Sequence, residues 1–268
     1  MFSVLLGNQK GGVGKTTNAV NLAGALADRG RDVLVVDFDP QGYLTITLGF
    51  EREYRRGVET LPETLRDPAG ADPTELIREH PEFDLVPASE SLRTVNRDLV
   101  RTDADGYGMI ERFLQTVAGD RYDVVVVDSP PARNAFTDVL LVDCRDVFVP
   151  MEPSETSVYS ISSFVDRIVE LEAETGAGVR IRAVLLSNVA YPLDNEQRRV
   201  SEWVDQNFGD RCPVYEIRHR AAIQRSLKNH CTVFGDGAEP TDMREVYADV
   251  ATQIERLHPD LRPESVDG

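Results

Sequence analysis

Two lysines stand five residues apart in one glycine-rich loop, Gly7-Asn8-Gln9-Lys10-Gly11-Gly12-Val13-Gly14-Lys15-Thr16-Thr17, in a chain that has three lysines against 26 arginines. A compact, mobile ammonium recurs here, where the rest of the chain takes its positive charge from planar guanidinium. Gripping phosphate as a point charge is a task that suits it. Loops of this kind cradle phosphates with backbone N–H groups, reach the β and γ groups with a lysine and bind Mg²⁺ through a Ser/Thr hydroxyl. They follow a strand and open a helix, and the flanking sequence has that order. Met1 to Leu6 is a short apolar run. From Lys15 onward Ala19, Leu22, Ala23, Leu26 and Ala27 recur at helical spacing, with Gly30 as the C-cap. Residues 32–37 then read as a buried parallel strand, completing a βαβ unit.

The loop departs from G-x-x-x-x-G-K-[ST] at its first glycine, which is Gln9, and it carries an added lysine at position 10. This Lys-Gly-Gly-Val-Gly-Lys-Thr-Thr variant resembles the deviant loop of the ParA/MinD class of ATPases. The resemblance continues through residues 33–45, through 83–89 as a third strand, through 122–131 as a Walker B strand with its switch, and through 146–150. Together these segments span most of residues 1–190; the C-terminal third matches more loosely. The fold so implied is an α/β P-loop NTPase three-layer sandwich, a mostly parallel twisted sheet with helices on both faces.

The resemblance also implies roles. Gly11, Gly12, Val13, Gly14, Lys15, Thr16 and Thr17 bind the phosphates of ATP. Lys15 takes the β and γ groups, Thr16 ligates Mg²⁺ and Thr17 touches the α phosphate. Lys10 reaches across a homodimer to the partner's nucleotide, and Gly12 lets the two loops approach. Asp39 orients the attacking water, while Asp37 and Asp128 hold Mg²⁺ through its waters. Asn188, near a strand end, reads the adenine edge; from the residue alone, a turn-capping Asn is an equal reading. Phosphoryl transfer rests on positioning and charge neutralisation, and a lysine supplied in trans makes turnover depend on dimerisation. Taken alone, each of the three aspartates also reads as a strand-end turn carboxylate.

These groups need a scaffold. The length of 268 residues and an apolar share of 41% suffice for one large domain. The expected extent is 1–258, with a disordered tail at 259–268. Cys144, Cys212 and Cys231 are odd in number with no C-x-x-C, which points to reduced thiols and away from paired-cysteine clusters. No apolar run is long enough to span a membrane. The N-terminus runs straight into the first strand, so a cytoplasmic protein is expected, nucleoid-associated when ATP-bound.

Net charge is −17. With so few lysines, this suggests a high-salt cytoplasm, where carboxylates keep the surface hydrated; an acidic protein from a GC-rich genome has the same bias. Non-specific DNA binding, which the resemblance implies, falls steeply with salt, so it requires a local basic patch. Residues 218–228 are the candidate, with Arg218, Arg220, Arg225 and Lys228; Arg220, Arg225 and Lys228 share a face if the segment is helical. The alternative is a solvated helix beside the nucleotide base. Where relatives often have Ile-Pro-Arg, this chain has Ile217-Arg218-His219.

Residues 51–82 read as a loop with short helices. Helices are expected over 91–100, 108–117, 154–175, 195–208 and 241–257, and strands over 182–188 and 213–217. The last helix has a stripe of Met243, Val246, Val250, Ile254 and Leu257 and an acidic outer face, so it packs on the domain instead of lying on lipid. Three functions fit. The first is a ParA-like ATPase that dimerises on ATP, binds DNA and hydrolyses on stimulation by a ParB-like partner to segregate DNA. The second is a MinD-like ATPase positioning a protein cargo. The third is a nucleotide-dependent scaffold with vestigial hydrolysis.

Overall fold

The computed structural model describes residues 1–56, 61–70, 72–102 and 106–261. The chain forms β1 (Phe2–Leu6), α1 (Lys15–Asp28), β2 (Val33–Asp37), α2 (Tyr43–Thr47), α3 (Glu51–Arg56), α4 (Leu61–Arg66), α5 (Pro73–Leu76), β3 (Arg78–Glu79), β4 (Asp84–Val86), α6 (Leu92–Thr102) and α7 (Met109–Ala118). It continues through β5 (Val124–Asp128), α8 (Ala135–Cys144), β6 (Asp146–Met151), α9 (Glu155–Thr175), β7 (Arg180–Val189), α10 (Asn195–Phe208), β8 (Val214–Arg218), α11 (Ala221–Lys228) and α12 (Met243–Leu257). One sheet has the order β3-β4-β2-β5-β1-β6-β7-β8, and every pairing is parallel except β3 with β4.

The central strands are apolar on both faces because each face meets helices. Leu34, Val36, Val125 and Val127 point into a core with α4 and α6 to α10; Val33, Val35, Val124 and Val126 point into a second core with α1, α11 and α12. This is the expected three-layer α/β fold. Strand order reverses about β1, and in open parallel sheets ligands bind beyond the carboxyl ends at such a point. The register brings chemistry there: Asp37 pairs with Asp128, and Leu6 also pairs with Asp128.

Several expectations need correction. Periodicity assigns no element to 135–144, yet α8 forms there. Phe136, Val139, Leu140, Leu141, Val142 and Cys144 are all buried, so the helix has no polar stripe to betray its period. Its start is marked by a capping box, in which Asn134 and Thr137 each accept from the other's backbone N–H at 3.0 and 3.1 Å. In α12 the inward residue is Tyr247 with Met243, Val250, Ala251 and Ile254, while Val246 is only half-buried. Glu255, on the expected outer face, is buried against Arg29 and Arg31 at the end of α1. Within the segment expected as a tail, Pro259–Leu261 make a 3₁₀ turn and Leu261 is buried. Residues 262–268 lie outside the described residues, as do 57–60 within the predicted loop. Among the described residues no helix is long and apolar enough to cross a membrane.

One close contact fixes the C-terminal third against α1. A Cβ on Gly24 would lie 2.7 Å from Thr232 Cβ and Cγ2. Thr232 is fully buried and its backbone N–H donates to Glu82 at 2.9 Å. On an exposed helix Gly→Ala gains up to about 1 kcal/mol, but overpacking here outweighs that. Gly24→Ala is expected to lose about 1–3 kcal/mol in urea unfolding.

Candidate nucleotide site

The loop between β1 and α1 is anchored from its first turn. Asn8 Nδ2 donates to the Pro150 carbonyl of β6 at 2.7 Å, and Asn8 Oδ1 accepts from Lys10 N at 2.9 Å. Gly12 and Gly14 have φ of 75° and 88°, a left-handed backbone that side chains resist. Around a Cβ at Gly12 there is open space, whereas one at Gly14 would stand 3.1 Å from Ser187. Helix α1 begins at Lys15, so its free N–H groups and positive dipole end face the loop's interior.

Lys15 is buried, and its Nζ donates to the Lys10 carbonyl at 2.9 Å. Burial pulls its pKa down, against the opposing pull of Asp128 and Asp39. Thr16 Oγ1 donates to Asp128 Oδ2 at 2.7 Å, while Asp128 Oδ1 is buried with no hydrogen-bond partner among the described residues. Burial, then the neighbouring Asp37, raises the Asp128 pKa. Asp37 is also raised, chiefly by burial. Both of its oxygens are engaged: Oδ1 accepts from Asp39 N at 3.1 Å, and Oδ2 accepts from Thr45 N and Oγ1 at 2.9 and 2.6 Å. Asp37 thus fixes the turn that presents Asp39. Tyr54 braces the same turn by donating to the Pro40 carbonyl at 3.0 Å. Asp39 Oδ1 accepts from Gln41 N at 2.9 Å, and burial raises its pKa.

Lys10 lies apart from this cluster. Its ammonium donates to Thr156 and Ser157 hydroxyls at 2.8 and 2.9 Å and to Ser154 at 3.4 Å, all at the start of α9 in the same chain.

Beside the loop a cavity of about 440 Å³ is lined by Gly12, Gly14, Thr17 and Asn18. Glu152, Ser187, Asn188 and residues 217–220 line it too. Asn188 therefore lines the same cavity as the phosphate loop, with φ 59° and Nδ2 donating to Glu152 at 3.2 Å. The residue replacing the relatives' proline, Arg218, uses its backbone N–H on Met243 Sδ at 3.1 Å. The segment expected to carry Arg220, Arg225 and Lys228 on one helical face is helical from Ala221 on. Arg218 ends β8 and Arg220 is the N-cap of α11, leaving only Arg225 and Lys228 within the helix. Arg218 and Arg220 also line the cavity.

The arrangement fits a Mg²⁺–nucleoside triphosphate. The Thr16 hydroxyl is bonded to one oxygen of Asp128 and leaves the other buried and unpartnered, and Mg²⁺ in phosphate sites takes one or two carboxylates beside phosphate oxygens and water. An AAA domain family model matches residues 2–181. The chromosome partitioning protein ParA of Caulobacter vibrioides is 32% identical over 224 residues, 83% of this chain and 80% of that one. The chain belongs to the ParA/MinD family of P-loop ATPases. Among solved structures, the Cyanothece McdA–ATP complex has a TM-score of 0.80 at 20% identity, covering 95% of this chain and 96% of that chain, a likeness of fold. Cobyrinic acid a,c-diamide synthase from Mycobacterium smegmatis, with bound ADP and magnesium, has a TM-score of 0.76 at 25% identity and covers 98% and 97%.

Sequence reasoning missed the buried amides of α1. Asn18 Nδ2 donates to the Gly14 carbonyl and to Ser187 Oγ, both at 2.8 Å, and its Oδ1 accepts from Tyr247 OH at 2.9 Å. Asn21 Nδ2 donates to the Thr17 carbonyl at 2.8 Å and Oδ1 accepts from Val233 N at 2.9 Å. The available signal was two Asn on the apolar stripe of a helix, where an unpaired amide is costly. Tyr247→Phe leaves Asn18 Oδ1 buried without a donor and is expected to lose about 1–3 kcal/mol in denaturant unfolding.

A pH dependence follows from Asp128. A carboxyl whose pKa is raised on folding binds its proton more tightly in the folded state. Its contribution is intact below the unfolded pKa and is lost as pH climbs through the raised folded value. Asp128→Asn removes that loss. The thermal midpoint of Asp128→Asn minus that of wild type, without nucleotide, is expected to grow as pH rises from about 5 to about 8, by calorimetry.

Proposed function

We infer that this ParA-family ATPase closes into a homodimer over two Mg²⁺–ATP, binds DNA non-specifically in that state, and hydrolyses ATP on stimulation by a ParB-like or other activator to segregate plasmid or chromosomal DNA. The observation that carries the reading is the buried ammonium of Lys15 beside Thr16, Asp128 and Asp39, at the mouth of a loop with left-handed glycines. Mg²⁺, when bound, would neutralise charge on the phosphates. Gly11 to Thr17 bind the triphosphate and Lys15 draws its β and γ groups. Thr16 and the free oxygen of Asp128 would hold the ion, with Asp37 beside Asp128 in the sheet register. Asp39, set by Asp37 and Tyr54, orients the attacking water and takes up its proton. Asn188 faces the adenine. The relatives' role in chromosome partitioning and the ADP and magnesium held by the cobyrinic acid a,c-diamide synthase support this assignment.

Lys10 acts from the neighbouring protomer. The open space at Gly12 supports a close approach of two loops, and leaving the hydroxyls of α9 for a triphosphate gives its ammonium a stronger, charged acceptor. Turnover then requires the dimer. DNA contacts come from Arg218, Arg220, Arg225 and Lys228.

Asp39→Ala is expected to bind Mg²⁺–ATP and dimerise while turnover falls by about 10²-fold or more. Lys10→Ala is expected to bind ATP and lose both dimerisation and turnover. Phosphate release and light-scattering mass, read in low and molar salt, check both. Wild-type turnover in Asp39→Ala would overturn the water-orienting role.

A further inference from the structure

Three of the four cations proposed for DNA are already paired. Arg220 donates from Nε and Nη2 to the two oxygens of Asp242, at 2.8 and 2.6 Å. Arg218 Nη1 lies 3.6 Å from the same carboxylate, and Arg225 Nη2 lies 2.5 Å from Glu239. Both acids belong to one short stretch, Glu239-Pro240-Thr241-Asp242, that leads into α12. Among the described residues, only Lys228 of the four forms no ion pair.

The geometry is that of phosphate capture. A guanidinium presents the same fork to a carboxylate and to a phosphate, so the donors that hold Asp242 are those a nucleic acid backbone would claim. The pairs are reachable, with Arg225 and Glu239 side chains each 52% exposed and Asp242 44%. Exposed pairs are weak singly, so they exchange. Arg220 holds the Asp242 carboxyl below its ordinary range, and the acid therefore stays charged at neutral pH. Asp242 makes no side-chain cap to α12; besides the arginines, its Oδ1 accepts from Thr241 Oγ1 at 3.3 Å.

We propose that Glu239 and Asp242 form an acidic strap over the basic surface of Arg218, Arg220, Arg225 and Lys228, and that duplex DNA binds there by displacing the strap with its phosphates. This rests on the DNA-binding reading above and adds its regulation. The strap makes the surface selective for a dense polyanion, since a lone anion at one arginine meets a carboxylate already in place. Arg218 and Arg220 also line the nucleotide cavity, so the strap and the cavity share two side chains.

The test is anisotropy of a labelled mixed-sequence duplex with the full chain, Mg²⁺ and a non-hydrolysable ATP analogue, across a salt series. Glu239→Gln with Asp242→Asn is expected to bind about 3- to 10-fold tighter than wild type. Asp242 makes no side-chain cap, so the change to Asn leaves the start of α12 without a lost cap bond. Adding Arg225→Ala and Lys228→Ala to the double variant is expected to erase the gain. Glu245→Gln, which removes one nearby exposed charge outside the strap, is expected to change affinity by less than about twofold. If wild type binds and the double variant binds no tighter, the strap is wrong and the DNA reading stands. A gain from Glu245→Gln as large as that of the double variant also overturns the strap, because net charge alone would explain it. If neither wild type nor double variant binds at any salt, both ideas fall.

Discussion

A lysine ammonium taken out of water at the mouth of a parallel sheet is the constraint around which this molecule is arranged. Lys15 is buried with one carbonyl as its hydrogen-bond acceptor and two carboxylates close by. Desolvation disfavours its charge and that of Asp37, Asp39 and Asp128 alike. Such a group of charges is costly alone and is relieved by a polyanion accompanied by a dication. Sheet register places Asp37 beside Asp128, and the reversal of strand order at β1 leaves the crevice in which a ligand fits. The stored electrostatic cost is what gives the site its appetite for a charged nucleotide.

Much of this was readable in the chain. The loop, its flanking strand and helix, and the strand-end aspartates follow from residue type and order, because local geometry alone sets them. Helix α9 ends at Gly176 with φ 72°, as a glycine after a periodic run predicts. Helix α8 was hidden because burial on every side removes the polar stripe that period-finding relies on. The turn of Glu255 into a pair with Arg29 and Arg31 was hidden for another reason: the partners lie at the far end of the sequence. Asn18 and Asn21 have meaning only through Ser187, Val233 and Tyr247, contacts that no window on the sequence contains. Lys10 illustrates a third limit. Its position in the loop was evident, but the three hydroxyls that receive it come from α9.

The basic segment shows how charge counts mislead in an acidic chain. Residues 218–228 stand out in the sequence as positive, yet in the fold each arginine of the group meets a carboxylate from 239–242. Local neutrality is set by tertiary pairing, and the number of arginines in a stretch says little about the field a ligand meets.

The hydrogen bond from Tyr247 to Asn18 gives the fold a direction in time. During synthesis the phosphate loop and α1 leave the ribosome before β7 and α12, with Asn18 lacking both Ser187 and its tyrosine. The polar network behind Gly14 closes only after α12 has been made and has docked. A chain made only as far as α1 therefore carries the loop's sequence without the partners that complete the network behind Gly14.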